Sequence, residues 1–194
     1  VIIRILLSTL VAATAIPAVA AEESFVVEPV HSQPTFETRH IGMSPQHGNF
    51  GKVSGKVTLD RAEKKGTVDI TIDATSIRTF DTRLDAIVKG ERFFNVEKFP
   101  TVTFKSDKMT FDGDRLVGVD GDLMMIGVTK PVSFKVVNFV CGENPFNKKS
   151  MCGAEATATI KRSDWGMTNG LNINNPGDEI KLMIPIEAYK DVAP

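Results

Sequence analysis

"TVDITID", residues 67–73, places Val68, Ile70 and Ile72 on one face of an extended chain and Thr67, Asp69, Thr71 and Asp73 on the other. A period of two is the repeat of a strand, and one apolar face against one polar face describes a strand half buried in an antiparallel sheet. The reading extends in both directions. "GKVTLD" (55–60) sets Val57 and Leu59 against Lys56, Thr58 and Asp60, and "TVTFKS" (101–106) sets Val102 and Phe104 against Thr101, Thr103 and Lys105. Val132, Phe134 and Val136 alternate with Ser133 and Lys135; Ala156, Ala158 and Ile160 alternate with Thr157, Thr159 and Lys161. Ile180, Leu182, Ile184 and Ile186 form the inward set of "EIKLMIPIEA" (179–188). Pro185 inside that run has no N–H to give to a ladder, which assigns it to an edge or a bulge.

Turn-forming clusters separate the runs: "RAEKKG" (61–66), "FDGDR" (111–115), "GVTKP" (127–131) and "NNPGD" (174–178). About eight strands with one apolar face each can bury that face in a sandwich or by closing into a barrel. One stretch breaks the alternation. In "FDTRLDAIVKGERFFNVEKFP" (80–100), Leu84, Ile87 and Val88 recur at helical spacing, with Asp81 as N-cap and Gly90 as C-terminal cap. The short helix that results either plugs one end of the fold or lines an apolar cavity.

The first twenty residues differ from the rest. Arg4 precedes an apolar run from Ile5 to about Ile16, and Ala18-Val19-Ala20 closes it. That is the pattern of a cleavable secretory signal over 1–20, cut before Ala21, leaving one domain over 21–194. The run is short for a membrane span and no basic stop-transfer cluster follows, so no stable anchor is expected after cleavage. Lys and Arg total 23 against 24 Asp and Glu. Neither a basic excess nor a basic stripe marks a nucleic-acid binder. Export to an oxidising compartment makes Cys141 and Cys152 an expected disulfide, closing the turn-rich "GENPFNKKSM".

Catalytic motifs are weak. Ser44 in "GMSPQ" is not a nucleophile elbow, and "GKVSGK" (51–56) is a residue short of a phosphate loop and runs into a strand. The gaps between His31, His40 and His47 match no recurring metal-ligand spacing, although a hairpin could bring His40 and His47 together. No carboxylate pair stands out as an acid/base couple, and an enzyme therefore has weak support. In "TFETRHIGMSPQHGNFGKVSGKVTLD" (35–60), Phe36, Thr38 and His40 share one parity, which carries His40 inward with Phe36. Phe50, Val53, Val57 and Leu59 resume the inward set after a kink near Gly51, as a small barrel needs at its corners.

These residues resemble a known family. "HSQPTFETRHIGMSPQHGNFGKVSGKVTLD" (31–60) resembles the opening motif of the YceI-like, polyisoprenoid-binding proteins exported by bacteria. "RFFNVEKFPTVTFKS" (92–106) is similar to the family's paired-aromatic block, and "GDLMMIGVTKPVSF" (121–134) to its Gly-Asp-Leu and Thr-Lys-Pro-Val block. "IKRSDWGM" (160–167) and "GDEIKLMIPIEA" (177–188) are similar to its closing pair. The resemblance implies an all-β fold: an eight-stranded antiparallel, lipocalin-like β-barrel with a short helix near one end. It also implies a periplasmic carrier with no cofactor, holding a long-chain isoprenoid or quinone lipid, such as a polyprenyl phosphate or a ubiquinone, in an apolar tunnel. The expected lining or mouth residues are Phe36, Thr38, His40, Phe50, Leu84, Val88, Phe93, Phe94, Phe104, Met125 and Trp165, with His40 as the orienting polar contact. Ile87-Val88 stands where many members carry a His-Leu pair, and Trp165 where many carry Phe. A homodimer is compatible with this reading. Two other classes remain beside it: a lipid-modifying enzyme with a polar cluster around His31, His40 or His47, and a solid-cored structural or interaction protein. Small inward residues, Gly55, Ala156 and Ala158, leave room and argue against the solid core.

Overall fold

The computed structural model describes residues 22–191; the leader assigned to 1–20 and its cleavage point lie outside the described residues. The alternating runs form β1 (Glu23–Val27), β2 (Thr35–His40), β3 (Ser44–Phe50), β4 (Val53–Asp60), β5 (Lys65–Asp73) and β6 (Ile77–Arg78). After the helix α1 (Thr82–Lys89) come β7 (Thr101–Asp112), β8 (Arg115–Met125), β9 (Val128–Glu143), β10 (Ser150–Lys161) and β11 (Glu179–Lys190). Eight strands close a barrel in the order β1, β4, β5, β7, β8, β9, β10, β11, all antiparallel, and β11 pairs back onto β1 through Phe25–Lys190, Val26–Tyr189 and Val27–Ala188.

The other three strands lengthen the wall at one end. β2 pairs with β11 through Thr35, Phe36 and Glu37, farther along the edge that β1 occupies. β3 pairs with β2, and β6 with β3. β1 and β2 thus act as one broken strand beside β11, and β3 and β4 as another, interrupted at Gly51–Lys52 where the sequence places a kink. Pro185 sits on β11 opposite the break between β1 and β2. Alternate residues of a strand aim their backbone groups at the same neighbour. Glu187 O accepts from Glu28 N at 2.8 Å and Met183 O from Thr35 Oγ1 at 3.3 Å, both on the β1–β2 side. Pro185, between them in the same parity, turns its nitrogen to the break, where no strand asks for a donor.

Three turns are shorter than the clusters that mark them: strands take up Lys65 and Gly66 of 61–66, all but two residues of 111–115, and most of 127–131. Residues 127–131 are not all turn: β8 runs to Met125, and β9 begins at Val128. Ile126 and Gly127 suffice because both have positive φ, 42° and 79°, the geometry of a tight two-residue hairpin whose twist matches its strands. The expected disulfide is present: Cys141 and Cys152 face each other across β9 and β10 and are bonded at 2.02 Å.

The apolar faces turn inward as the alternation requires. Ile70, Val102, Phe134 and Ile160 are all buried, with Phe104 and Phe134 stacked edge to face at 5.1 Å. Glycine is required at two close approaches. A Cβ on Gly48 would lie 2.4 Å from the Phe36 ring opposite it, and Gly55, at φ +152°, would set one 2.2 Å from Asp69 O. α1 begins at Asp81, whose side chain accepts from Arg83 N, and ends at Gly90, as expected. The helix lies at the rim. Only its last turn and the segment after it reach the interior, where Phe94 N is held by Val88 O and the Phe94 ring meets Phe50 edge-on at 5.5 Å.

Candidate ligand-binding cavity

The inward faces do not meet. They enclose a cavity through which the centre of a water-sized sphere can range over about 250 Å³. Its lining on β11 runs from Ile180 to Ala188, a span of eight residues that covers about 27 Å of strand, or about 20 Å of barrel axis at the usual tilt. Spread over that length, the volume corresponds to a bore about one hydrocarbon chain wide. The solid-cored reading is therefore corrected: of the small residues expected to leave room, Ala156 lines the cavity with Ala154 beside it, while Gly55 and Ala158 are not among the lining residues.

The walls are almost wholly apolar. Among the lining residues, only Thr35, Thr38 and Arg162 carry a side-chain nitrogen or oxygen. Thr35 Oγ1 is engaged with Met183 O. Thr38 and Arg162 converge at one end: Gly177 O accepts from Thr38 Oγ1 at 3.4 Å and from Arg162 Nε at 3.0 Å. The Arg162 guanidinium is buried, 2% exposed, and donates further to the carbonyls of Met167, Asn169 and Pro176. The Phe93 ring covers it with the centroid 5.9 Å from Cζ. Burial lowers the Arg162 pKa from its ordinary value, and Asp178 opposes that shift through space. An arginine ordinarily titrates so high that this one remains charged.

Of the expected site residues, Phe36, Thr38, Phe50, Val88, Phe93, Phe94, Phe104 and Met125 line the cavity. Three do not. His40 has the inward parity but is exposed, because β11 flanks β2 only as far as Glu37 and the strand then continues past the rim into a hairpin tip. Leu84 is 43% exposed, one turn ahead of Val88 on a helix that enters the barrel only at its C-terminal end. Trp165 is buried, 2% exposed, but belongs to the packed core behind the wall, where its indole Nε1 donates to Leu123 O at 3.2 Å. An indole N–H needs an acceptor, and an apolar bore offers none.

The histidine cluster considered for an enzyme or metal does not assemble. His47 lies opposite Glu37 and His40 opposite Ser44, so the hairpin keeps them apart, and no histidine lines the cavity. One set of three metal-capable groups exists among the described residues: Glu28, His31 and Glu187, on the outer side of the β1–β2 break. There the His31 side chain is 66% exposed, and the Glu28 carboxylate already accepts from Val30 N, His31 N and His31 Nδ1.

Sequence reasoning missed Arg162. The signal was available: Ala156, Ala158 and Ile160 fix the inward parity of β10, and Arg162 is the next residue of that parity.

The barrel fold is shared with known proteins. The model of the YceI-like domain matches residues 25–188. The chain belongs to the YceI-like family. Protein YceI from Salmonella arizonae and from Salmonella heidelberg are each 33% identical over 174 residues, covering 89% of this chain and 89% of theirs. Among solved structures, BcnA of Burkholderia cenocepacia superposes with a TM-score of 0.71 at 23% identity, covering 83% of this chain and 98% of that one. A polyisoprenoid-binding domain from Saccharophagus degradans gives 0.64 at 13% identity, covering 86% and 98%. At these identities the two structures show the shared YceI-like barrel fold.

Proposed function

We propose that this YceI-like protein is a periplasmic carrier of a long-chain isoprenoid lipid, a polyprenyl phosphate or a ubiquinone-like quinone, with the tail inside the barrel. The observation that carries the reading is a bore one chain wide whose lining side chains are apolar apart from two threonines and one arginine. Such walls select by shape and by removal from water. Each CH₂ transferred contributes about 0.8 kcal/mol, so one five-carbon isoprene unit contributes about 4 kcal/mol before the ordering of the chain is charged against it. A tail of several units then needs few polar contacts. The likeness to a polyisoprenoid-binding domain supports the ligand class. The leader pattern over 1–20 and the Cys141–Cys152 disulfide support an exported, oxidising location. No histidine lies in the bore to serve a lipid-modifying reaction, which favours carriage over turnover.

The test is native mass spectrometry of the protein purified without detergent from its own compartment, followed by solvent extraction. A stoichiometric isoprenoid lipid is the expected result. A clean apo mass, with no uptake of ubiquinone or polyprenyl phosphate when offered, would overturn the carrier reading.

A further inference from the structure

Three segments that line one end of the bore each continue outward into exposed apolar side chains. The β2–β3 hairpin places Thr38 in the lining and leaves Ile41 and Met43 exposed at its tip, Met43 by 76%. The stretch from Phe80 through α1 places Val88 and Phe93 in the lining, with Phe80 91% exposed and Leu84 and Ile87 exposed on the helix. The loop after β10 places Met167 and Pro176 in the lining and leaves Ile173 exposed. These segments are neighbours. Gly177 N donates to Arg39 O at 2.9 Å, which joins the loop to the hairpin. The Phe93 ring covers the Arg162 guanidinium, which in turn holds the carbonyls of that loop. At the disulfide end, the turns 61–64, 113–114 and 144–149 expose one large apolar side chain among the described residues, Phe146. Charge is sparse on the apolar tips. Residues 41–46 and 165–177 carry none, although 24% of the chain is Asp, Glu, Lys or Arg. Around α1 the charges nearly balance: Arg78, Arg83, Lys89 and Arg92 stand against Asp81, Asp85 and Glu91, with Arg83 paired to Asp81 at 2.6 Å.

We propose that this rim docks on the face of a lipid bilayer, inserting Met43, Phe80 and Ile173 and laying Leu84 and Ile87 of α1 against it. Separate tips around a rim do not make the closely packed core of a protein–protein interface. They suit a soft apolar phase that closes around each one, as lipid does around the apolar face of an interfacial helix. This rests on the carrier reading and deepens it by naming the surface from which a tail is taken up. Apolar side chains continue from Val88 in the bore to Leu84 and Ile87 outside it, so a tail passing between bilayer and barrel follows apolar surface rather than water. Such docking is reversible, because a few apolar side chains fall far short of a spanning helix.

The experiment is flotation of the protein, purified from its own compartment, with vesicles of phosphatidylethanolamine and phosphatidylglycerol and with vesicles of phosphatidylcholine alone, neither containing isoprenoid lipid. Binding to both is expected, and high salt should not release the protein, because charge nearly balances at the rim. Met43→Ser, Phe80→Ser and Ile173→Ser made together should weaken binding by at least about tenfold, whereas Phe146→Ser at the disulfide end should change it by less than about twofold. These side chains are exposed, so their replacement should leave the fold intact. On the unsubstituted protein, a nitroxide lipid in the vesicles should broaden the methyl resonances of Met43 and Ile173 and spare those of Val140, exposed on β9. Release by salt, binding to the anionic vesicles alone, or undiminished flotation of the triple variant overturns the proposal. So does self-association without vesicles that the triple variant abolishes, which would make the rim an interface between two copies. A protein that loads ubiquinone or polyprenyl phosphate but does not float overturns the docking and leaves the carrier reading standing. One that floats by this rim but loads neither lipid supports the docking and overturns the carrier reading.

Discussion

Ser32 closes the gap in the barrel wall by bonding both backbone groups of Glu187: its Oγ accepts from Glu187 N at 2.9 Å and donates to Glu187 O at 3.2 Å. The residue is 0% exposed and stands where neither β1 nor β2 reaches β11, so its hydroxyl supplies the acceptor that a ladder would give Glu187 N, while Glu187 O also accepts from Glu28 N.

Ser32→Ala should therefore destabilise the fold by about 1–3 kcal/mol, the cost of leaving the Glu187 N–H unpaired, since Glu187 O keeps its bond from Glu28 N. Urea unfolding should show a lower midpoint with an unchanged slope. A midpoint within error of the parent protein would mean that water replaces the hydroxyl without loss.

Ala156→Phe places a ring in a bore that is open rather than packed. Overfilling a solid core costs about 1–3 kcal/mol, whereas here the ring enters space already present, so stability should hold within about 1 kcal/mol. Lipid loading should fall by about tenfold or more, because filling removes the room that a tail needs. Loss of folding with no gain in tail exclusion would show that the interior collapses on itself when empty.

α1 should loosen in acid before the barrel does. Arg83, by its side chain and then its backbone N–H, holds the Asp81 carboxyl below its ordinary value of 3.8. The Thr79 backbone N–H and then its hydroxyl do the same for Asp85. A depressed carboxylate pKa stabilises the folded form fully above the unfolded value, and that contribution is lost as pH falls through the folded one. Protection factors at residues 82–89, which divide out the intrinsic pH dependence of amide exchange, should thus be flat above about pH 5 and fall below about pH 4, while the β7–β10 amides stay protected. Simultaneous loss in helix and barrel would show that the helix is not an independent unit.

Reduction of Cys141–Cys152 should lower stability by about 2–3 kcal/mol on the chain-entropy model for a loop this short. Denaturant midpoints with and without a reductant measure it. The bridged hairpin has a second restraint, since Tyr189 Oη accepts from Asn144 Nδ2 at 2.8 Å and Asn147 Nδ2 at 3.1 Å. A negligible change on reduction would assign the hairpin's order to these bonds instead.

Alternation alone specifies which side chains face the bore, because parity survives along a strand whatever its neighbours are. It placed Val68, Ile70, Phe104, Ile160 and Ile184 correctly without any knowledge of the topology. Parity does not say where a strand leaves the barrel. His40 shares the phase of Phe36 and is nonetheless outside, since the length of the wall is set by how far β11 flanks β2. Leu84 failed for a related reason: helical spacing gives a stripe, while the depth to which the stripe enters depends on how α1 sits on the rim. Trp165 was mistaken because an aromatic after a strand reads as lining until its N–H is seen to need the Leu123 carbonyl. Arg162 was readable by parity but stood against the expectation that a charge points outward.

The closing seam joins the two ends of the chain. β1 meets β11 through three residue pairs, and Lys190 Nζ reaches Glu23 Oε1 at 2.6 Å across 167 positions of sequence. During synthesis the first strand has no partner on that side until the last one is made, and such long-range closure is slow. On the proposed export route, the wall would be complete only after the last strand had crossed the membrane. Until β11 meets β1 the apolar interior is an open trough, and filling it during closure is an alternative to threading a tail into a finished barrel.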